Sequence, residues 1–446
     1  MSAHGSQVIP PQNRHTPVSG IIEPGHTSSG HEPSAEGALI AHRIAELAAV
    51  SARPDALERV HLSLEHSAVN ACVGTWFAEA GLEVRIDAAG NLCGRIEGRE
   101  PGLPALLLGS HLDTVPDAGR YDGMLGVLLA LAAIRRLAPQ ARSLPFALEL
   151  VALSDEEGTR FGTALSGSRA LAGTFDPAWW DIQDGDGVTY REAALAFGLD
   201  PARIGEAARA PHELVGYLEA HIEQGPELLD QDRPLGVVSS IGAATRSRIT
   251  LTGRAGHAGG TPWPRRRDAL VAASEVILAI ESIARDAGAL ATVGTIQVLP
   301  GGVNVIPGIA DFSLDLRAES TELRAATFER ILDATREICE RRRVTFECAE
   351  TYRADAVTCA PALRAAVETG IARATAAPVP APIWSRAGHD GLAIATVTDV
   401  AMLFVRCGNE GISHHPDESV LDADIEVALE ALPAAIQAFA EGFPSS

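Results

Sequence analysis

The sequence predicts an α/β fold: a central, mostly parallel sheet covered on both faces, interrupted by a smaller α+β domain. Three observations carry this. Short apolar runs alternate with helical patterns through the first half of the chain. From about Leu235 the texture changes to a β-α-β-β-α order, which suits a small sheet layered with two helices. After about Phe346 the first texture returns, as it would if one domain were inserted into another. At 446 residues the chain is too long for one small core, so two domains are the natural expectation. The expected boundaries are an arm over 1–35, a first part over 36–234, an insert over 235–346 and a second part over 347–446.

Residues 1–35 are rich in Gly, Ser, Pro and His without apolar periodicity, the composition of a disordered arm. Its scattered His4, His15, His26 and His31 read as solvated. Ala38–Val50 has helical spacing, and Ser63–Ala80 reads as a second helix closed by Gly81. Val84–Cys93 looks like a strand pair turning at Asp87, Gly90 and Asn91. Ala105–Leu108 is a short buried strand leading to His111 and Asp113, and a Gly/Pro/Asp-rich loop then delivers Asp122 before a helix from Met124. Phe146–Leu153 is another buried strand and runs into Ser154-Asp155-Glu156-Glu157-Gly158. Residues 176–212 are polar and irregular. Glu213–Ile222 alternates and ends in His221-Ile222-Glu223-Gln224-Gly225.

In the insert, Arg248–Gly253, Ala291–Leu299 and Ala310–Arg317 read as strands. Arg267–Arg285 and Glu322–Arg342 read as helices. The last part holds a helix over 361–376, a strand over 400–405, and Gly411-Ile412-Ser413-His414-His415-Pro416.

The net charge of -22 disfavours nucleic acid or an anionic membrane as partner, because both require a basic surface. None of the six cysteines lies in a CxxC pair, so they read as reduced residues of a cytoplasmic protein. No stretch is expected to approach a membrane span, and no apolar signal core follows a basic start.

Ligand-type residues recur at element ends: His111, Asp122, Glu157, His221 and His414. In open α/β sheets ligands bind beyond the carboxyl ends of the strands, so these ends can converge. Three histidines and two carboxylates suit two metal ions if one carboxylate bridges them. Asp122, the shortest acid on the most Gly-rich loop, is the expected bridge. Glu156 is left over; its neighbour binds metal while it faces the substrate. A metal lowers the pKa of its water to about 7, and a free carboxylate can then take and return the proton. Asp113 is expected to hydrogen-bond His111 and fix its tautomer. The bland alternatives are a hydrogen-bonded core histidine at 111 and a solvated acidic pair at 156–157.

The motifs Gly109-Ser110-His111-Leu112-Asp113-Thr114, Tyr121-Asp122-Gly123, Glu156-Glu157-Gly158, His221-Ile222-Glu223-Gln224-Gly225 and Gly411-Ile412-Ser413-His414 resemble the signatures of dinuclear-metal amidohydrolases of the M20 peptidase-like clan. The resemblance runs from residue 37 onward. The subgroup it resembles contains N-carbamoyl-L-amino acid hydrolases, β-ureidopropionases and allantoate amidohydrolases. It implies a metallopeptidase-like catalytic domain and an inserted dimerisation or lid domain, hence a homodimer. It implies two divalent ions per chain, zinc or manganese, with cobalt or nickel as alternatives. His111, Asp122 and His221 would hold one, and Asp122, Glu157 and His414 the other. His415 is an unusual neighbour of His414.

The resemblance also implies that Glu156 is the general base and that His257 steadies the oxyanion. Asn304 and Arg317 would bind substrate, with Arg317 on its carboxylate. Gln224, Gly388 and His389 match further substrate contacts, and Arg246 is a weaker candidate. Read from the residues alone, His257 could be a buried structural histidine, Asn304 a turn cap, and Arg317 a partner of Asp315. Ser385-Arg386-Ala387-Gly388-His389-Asp390-Gly391 departs from the family pattern, which usually has Gly at 386 and Ala at 391.

The expected substrate is a small ureido acid. Allantoate is favoured because Met402-Leu403-Phe404-Val405-Arg406-Cys407 resembles that branch and because Arg406 and Arg386 add charge; the alternative is that both arginines face solvent. An M20-type aminopeptidase or dipeptidase is the rival within the class, and His221 in place of a carboxylate speaks for the ureido branch. A non-catalytic protein on a relic fold is the rival outside it, and the complete ligand set speaks against that.

Overall fold

A computed structural model describes residues 34–379 and 381–443. Most of the expected arm, residues 1–33, lies outside the described residues. Ser34 already caps the first helix, Ala35–Ala48, by accepting from the Gly37 N–H, and it is tied to Glu426 by two hydrogen bonds.

Five strands come first: β1 (Glu83–Ile86), β2 (Leu92–Ile96), β3 (Ala105–His111), β4 (Ala147–Leu153) and β5 (Leu214–Ile222). β6 (Leu235–Ile241) runs through Gly242 into β7 (Ala243–Thr252). Then follow β8 (Gly256–His257), β9 (Leu290–Thr292), β10 (Ile296–Leu299), β11 (Val305–Ile306), β12 (Ile309–Ala318) and β13 (Thr345–Ala354). β14 (Val357–Thr358), β15 (Ile383–Ser385) and β16 (Val400–Val405) close the series.

Among the described residues the large sheet has nine strands, in the order β1-β2-β4-β3-β5-β16-β6-β14 with β15 also on β6. Its centre, β4-β3-β5-β16, is parallel. β3 and β4 are buried along their whole length, as expected for a sheet covered on both faces. The second sheet is antiparallel, β10-β12-β7-β13 with β9 on β12. β8 and β11 form a separate two-stranded ribbon.

The second sheet has its own core. β12 alternates strictly, and Ala310, Phe312, Leu314 and Leu316 face the helices Ala269–Ala287 and Thr321–Arg342. Its other face carries Asp311, Ser313, Asp315 and Arg317, with Arg246 paired opposite Asp315 on β7.

The boundaries differ from those expected. β6 pairs with β16 and β15 in the large sheet, and β13 pairs with β7 in the second, so the second sheet spans 243–354 rather than 235–346. β6 and β7 are separated by a single glycine. Periodicity alone therefore shows one long strand, and only the partners divide it.

The helix Met124–Leu137 is buried at every position from Met124 to Ile134. It packs between the sheet and the helices Ala35–Ala48 and Asp422–Glu441. Contrary to expectation, one helical stretch, Met124–Ser143, is long and apolar enough by length and composition to cross a membrane. Its apolarity has a packing cause, since protein covers it on several sides. The approach to the sheet is closest at Gly126, where an added Cβ would lie 2.1 Å from the Ala220 carbonyl oxygen. That oxygen belongs to β5, one residue before His221, and cannot swing away.

Gly126→Ala should therefore lower stability by about 1–3 kcal/mol through overpacking, against the roughly 1 kcal/mol that Ala gains from helix propensity. A melting curve checks this. An unchanged or raised midpoint would show that the helix can back away from β5.

Candidate metal centre and active site

The four central parallel strands end together, and each delivers a polar side chain. His111 is the last residue of β3, Glu156 and Glu157 follow β4, His221 is next to last in β5, and His414 stands in the loop after β16. Asp122 comes from the loop between β3 and its helix.

His111 donates from Nδ1 to the Asp113 carbonyl at 3.0 Å, and His221 from Nδ1 to the Ile222 carbonyl at 2.8 Å. Both rings thus turn the Nε2 lone pair towards Asp122 Oδ1, at 3.5 and 3.1 Å. Asp122 Oδ1 and His221 Nε2 are buried without a hydrogen-bond partner. Lone pairs aimed at a carboxylate need a cation between them, and this donor set fits a metal ion. Asp122 turns its other oxygen to His414 Nε2 at 3.1 Å, and His414 lies 3.5 Å from Glu157 Oε1. The ligand atoms of His111, Asp122 and His221 lie within 4.8 Å of one another, as do those of Asp122, Glu157 and His414. His415 stays outside: its Nδ1 accepts from the Asp417 N–H at 3.1 Å.

Protons compete for the same lone pairs. Burial opposes a charge on His111, but Asp122, Glu156 and Asp113 outweigh it and raise its pKa well above the ordinary value. Glu156 is pushed well above the usual carboxylate range, first by burial and then by Glu157 and Asp390, with His111 opposing. Burial and the Asp122 charge lift Glu157 to about 7.

Asp113 acts differently from expectation. Its main-chain carbonyl orients His111, while its carboxylate stays 3.7 Å from that ring nitrogen. The carboxylate instead accepts from the Glu156 and Glu157 N–H groups, at 3.1 Å each, and so anchors both acids. Asp155 precedes them in a left-handed turn (φ 60°), and both Glu156 and Glu157 face the cleft.

The cleft beside this cluster has a volume of about 200 Å³. Gln224, Arg246, Arg317, Gly388 and His389, which the resemblance names as substrate contacts, all line it. Gln224 donates from Nε2 to Asp122 Oδ2 at 2.8 Å. His389 is fixed by Ser385 Oγ at 2.8 Å, and burial followed by the nearby His221 drives its pKa well below normal. Arg317 is held in two-point contact with Asp315, at 3.0 and 3.2 Å, so the partner read from the residues alone is present as well. Arg246 shares the same carboxylate at 3.1 Å and lies over the Tyr352 ring at 5.0 Å. Burial opposes ionisation of Asp315, but the two guanidiniums hold it below its usual range. One carboxylate between two arginines leaves positive charge facing the cleft.

His257 and Asn304 are not brought to this cleft within the chain. They sit together on the β8–β11 ribbon, where the Ala258 N–H donates to the Asn304 carbonyl at 2.9 Å. His257 is exposed, not a buried structural residue. Its Nδ1 accepts from the Gly259 and Gly260 N–H groups, at 3.1 and 2.9 Å, which leaves the proton on an outward Nε2. Arg406 also differs from expectation. It makes two 2.8 Å bonds to Asp424 and one to Asp232, and it does not line the cleft. The chain turns as it leaves β16, and the guanidinium meets the acidic start of the helix Asp422–Glu441.

Sequence reasoning passed over Glu418. This buried carboxylate accepts from the Tyr121 and Asp122 N–H groups, at 2.8 and 3.1 Å, and from Ser413 Oγ at 2.7 Å. It ties the Asp122 loop to the His414 loop. The available signal was a further acid on the loop that carries a ligand histidine, since metal ligands and their loops are held by outer hydrogen-bond partners. Gly123 (φ 67°) is also required, because an added Cβ would lie 2.6 Å from the His111 ring.

Metal-type ligands on the carboxyl edge of a parallel sheet, three of them buried, beside an arginine-lined cleft are the arrangement of an α/β metallohydrolase. Comparison with known proteins makes the class specific. Peptidase family M20/M25/M40 matches residues 107–438. The chain is 36% identical over 409 residues to the N-carbamoyl-L-amino acid amidohydrolase of Geobacillus stearothermophilus, covering 91% of this chain and 99% of that one. It is 36% identical over 425 residues to a probable allantoate deiminase of Oryza sativa subsp. japonica, covering 87% and 86%. The crystal structure of an amidase of the hydantoinase/carbamoylase family from Burkholderia multivorans matches with a TM-score of 0.83 and 33% identity, over 91% of this chain and 98% of that one. The chain belongs to the M20 family and, within it, to the hydantoinase/carbamoylase amidohydrolases, which act on carbon–nitrogen bonds other than peptide bonds.

Elemental analysis after reconstitution should give about two ions per chain, the number that a bridging carboxylate serves; full activity in a metal-free preparation would contradict the site. Glu418→Ala should lower metal content without altering any ligand, by about 10-fold or more in affinity. Equal metal affinity in the variant would limit Glu418 to a structural role.

Proposed function

We propose that the protein hydrolyses the ureido carbon–nitrogen bond of a small carboxylate-bearing substrate, with allantoate the preferred reading. The observation that carries this is one cleft in which the metal-ligand cluster, Glu156 and the arginines Arg246, Arg317 and Arg386 converge. Allantoate offers a reacting ureido group, a carboxylate and a second polar arm, and the cleft offers partners for all three. The second reading is an N-carbamoyl-L-amino acid hydrolase, favoured by the relative of that name at the same 36% identity. A β-ureidopropionase would use the same groups.

Two divalent ions, one held by His111, Asp122 and His221 and the other by Asp122, Glu157 and His414, would supply an activated water and a polarised ureido carbonyl when bound. Glu156 lines the cleft beside the ligand cluster and is left over from the proposed ligand set, a position that suits its carboxylate to take the proton of the attacking water and return it to the leaving nitrogen. Arg246 and Arg317 hold the substrate carboxylate with charge-assisted hydrogen bonds, and Gln224, Gly388 and His389 shape the wall around it.

His257 Nε2–H is a suitable donor to a developing oxyanion, and Asn304 beside it a suitable substrate contact. Both lie on a ribbon apart from the chain's own cleft, so we assign them to the cleft of a second copy. The second sheet is the surface for such a homodimer. It exposes Ile296 and Leu299 on β10, Leu278 is exposed on the helix Ala269–Ala287 that packs on it, and Trp263 and Val303 are exposed near the ribbon.

Glu156→Gln should retain metal and fold yet lose about 10²-fold or more in turnover; unchanged turnover would mean that another group is the base. Mixing His257→Ala with Glu156→Gln protomers should restore part of the activity in verified heterodimers, because one of the two sites would then be intact. Absence of rescue would argue that each chain works alone. The specificity constant for allantoate should exceed that for N-carbamoyl-L-methionine under one metal, and a clear reverse preference would select the second reading.

A further inference from the structure

Arg386 follows β15 and lines the same cleft as the metal-ligand cluster. Its main-chain carbonyl accepts from Arg317 Nη1 at 2.7 Å, so the segment that carries it is docked on the second sheet. Its guanidinium donates from Nη2 to Glu227 Oε2 at 2.7 Å and lies 5.8 Å from the Trp384 ring centre. Arg386 and Glu227 are 42% and 31% exposed at their side chains, and an ion pair this open to water is easily exchanged for another partner.

The two ends of this pair differ in freedom. The Glu227 and Leu228 N–H groups donate to the Glu223 carboxylate, at 2.7 and 2.8 Å, which pins the backbone under Glu227. Arg386 is long and held through its main chain, this one ion pair and a distant contact with the Trp384 ring. The substrate carboxylate does not need it, because Arg246 and Arg317 already present the charge left over from Asp315. Arg386 is thus a third guanidinium on a cleft whose first two have work assigned, and its present partner can be given up.

We propose that Arg386 is a specificity residue: it trades Glu227 for an acceptor oxygen on a substrate arm beyond the reacting ureido group and its carboxylate. This rests on the ureido-acid reading above and narrows it to ureido acids with a second hydrogen-bond-accepting arm. That arm is a second ureide carbonyl or a second carboxylate, since a guanidinium serves either. Glu227 is the competitor that keeps Arg386 satisfied between turnovers and that a second substrate arm must displace.

The test measures kcat/KM for allantoate, N-carbamoyl-L-aspartate and N-carbamoyl-L-methionine with the metal-loaded wild type, Arg386→Met and Glu227→Gln, with melting curves and metal content alongside. The readout is the ratio of each two-armed substrate to the methionine compound. Arg386→Met should lower at least one ratio by about 10-fold or more, the size expected for one lost hydrogen bond to a charged group. Glu227→Gln should move the same ratio upward, because the competing carboxylate is gone. The ratio that responds identifies the arm: the allantoate ratio for a ureide, the aspartate ratio for a carboxylate.

Ratios unmoved by Arg386→Met would overturn the proposal, and so would a fall in both variants, which would mark the pair as a structural latch. A wild type that cleaves none of the three but does cleave dipeptides would instead overturn the ureido-acid reading itself, and the role of Arg386 with it.

Discussion

Everything at the active edge depends on one carboxylate facing three imidazoles. Asp122 turns Oδ1 to His111 and His221 and Oδ2 to His414. Main-chain carbonyls hold the first two rings by Nδ1, so their Nε2 atoms cannot act as donors without gaining a charge. Asp122 Oδ1 and His221 Nε2 are buried acceptors without a donor, an arrangement that is unstable unless a cation lies between them. The supporting parts follow from that. Gly123 leaves room for the His111 ring, Asp113 pins the backbone of the two glutamates, and Glu418 ties the Asp122 loop to the His414 loop.

The backbone is strained at the same place. Asp155, Gln224 and His414 all adopt left-handed conformations, at φ 60°, 55° and 55°. Each costs about 1–3 kcal/mol for a residue other than glycine. Asp155 starts the turn that brings Glu156 and Glu157 to the cleft. Gln224 reaches back to Asp122, and His414 reverses towards it. The cores beneath, built from the fully buried β3, β4 and the Met124–Leu137 helix, are what hold such conformations in place.

The two sheets divide the chemistry by charge. The large sheet gathers acids and histidines that suit cations, and the second presents arginines that suit an anion. Strict alternation on β12 makes the second arrangement possible, because the residues between its core positions all lie on one face. Asp315 then meets Arg317 two residues along and Arg246 across the register. By holding both guanidiniums it keeps them extended over the cleft at reduced net charge.

The sequence by itself determined the α/β class, the position of the buried strands and the cluster His111, Asp122, Glu157, His221 and His414. These are local features: an apolar run of strand length that ends in a polar residue already places that residue at an edge. It also held the motif order that identifies the family. It did not determine which sheet β6 joins, since β6 and β7 form one continuous pattern divided by partners elsewhere. Nor did it show that Asp113 works through its carbonyl on His111, that Arg406 turns to Asp424, or that His257 and Asn304 stand apart from the chain's own cleft. Glu418 shows the reason most clearly. It contacts the Asp122 N–H from 296 positions away. Hydrophobic periodicity is set by neighbours along the chain, whereas the partner of a polar side chain is set by whichever segment packing brings beside it, and only the tertiary structure decides that.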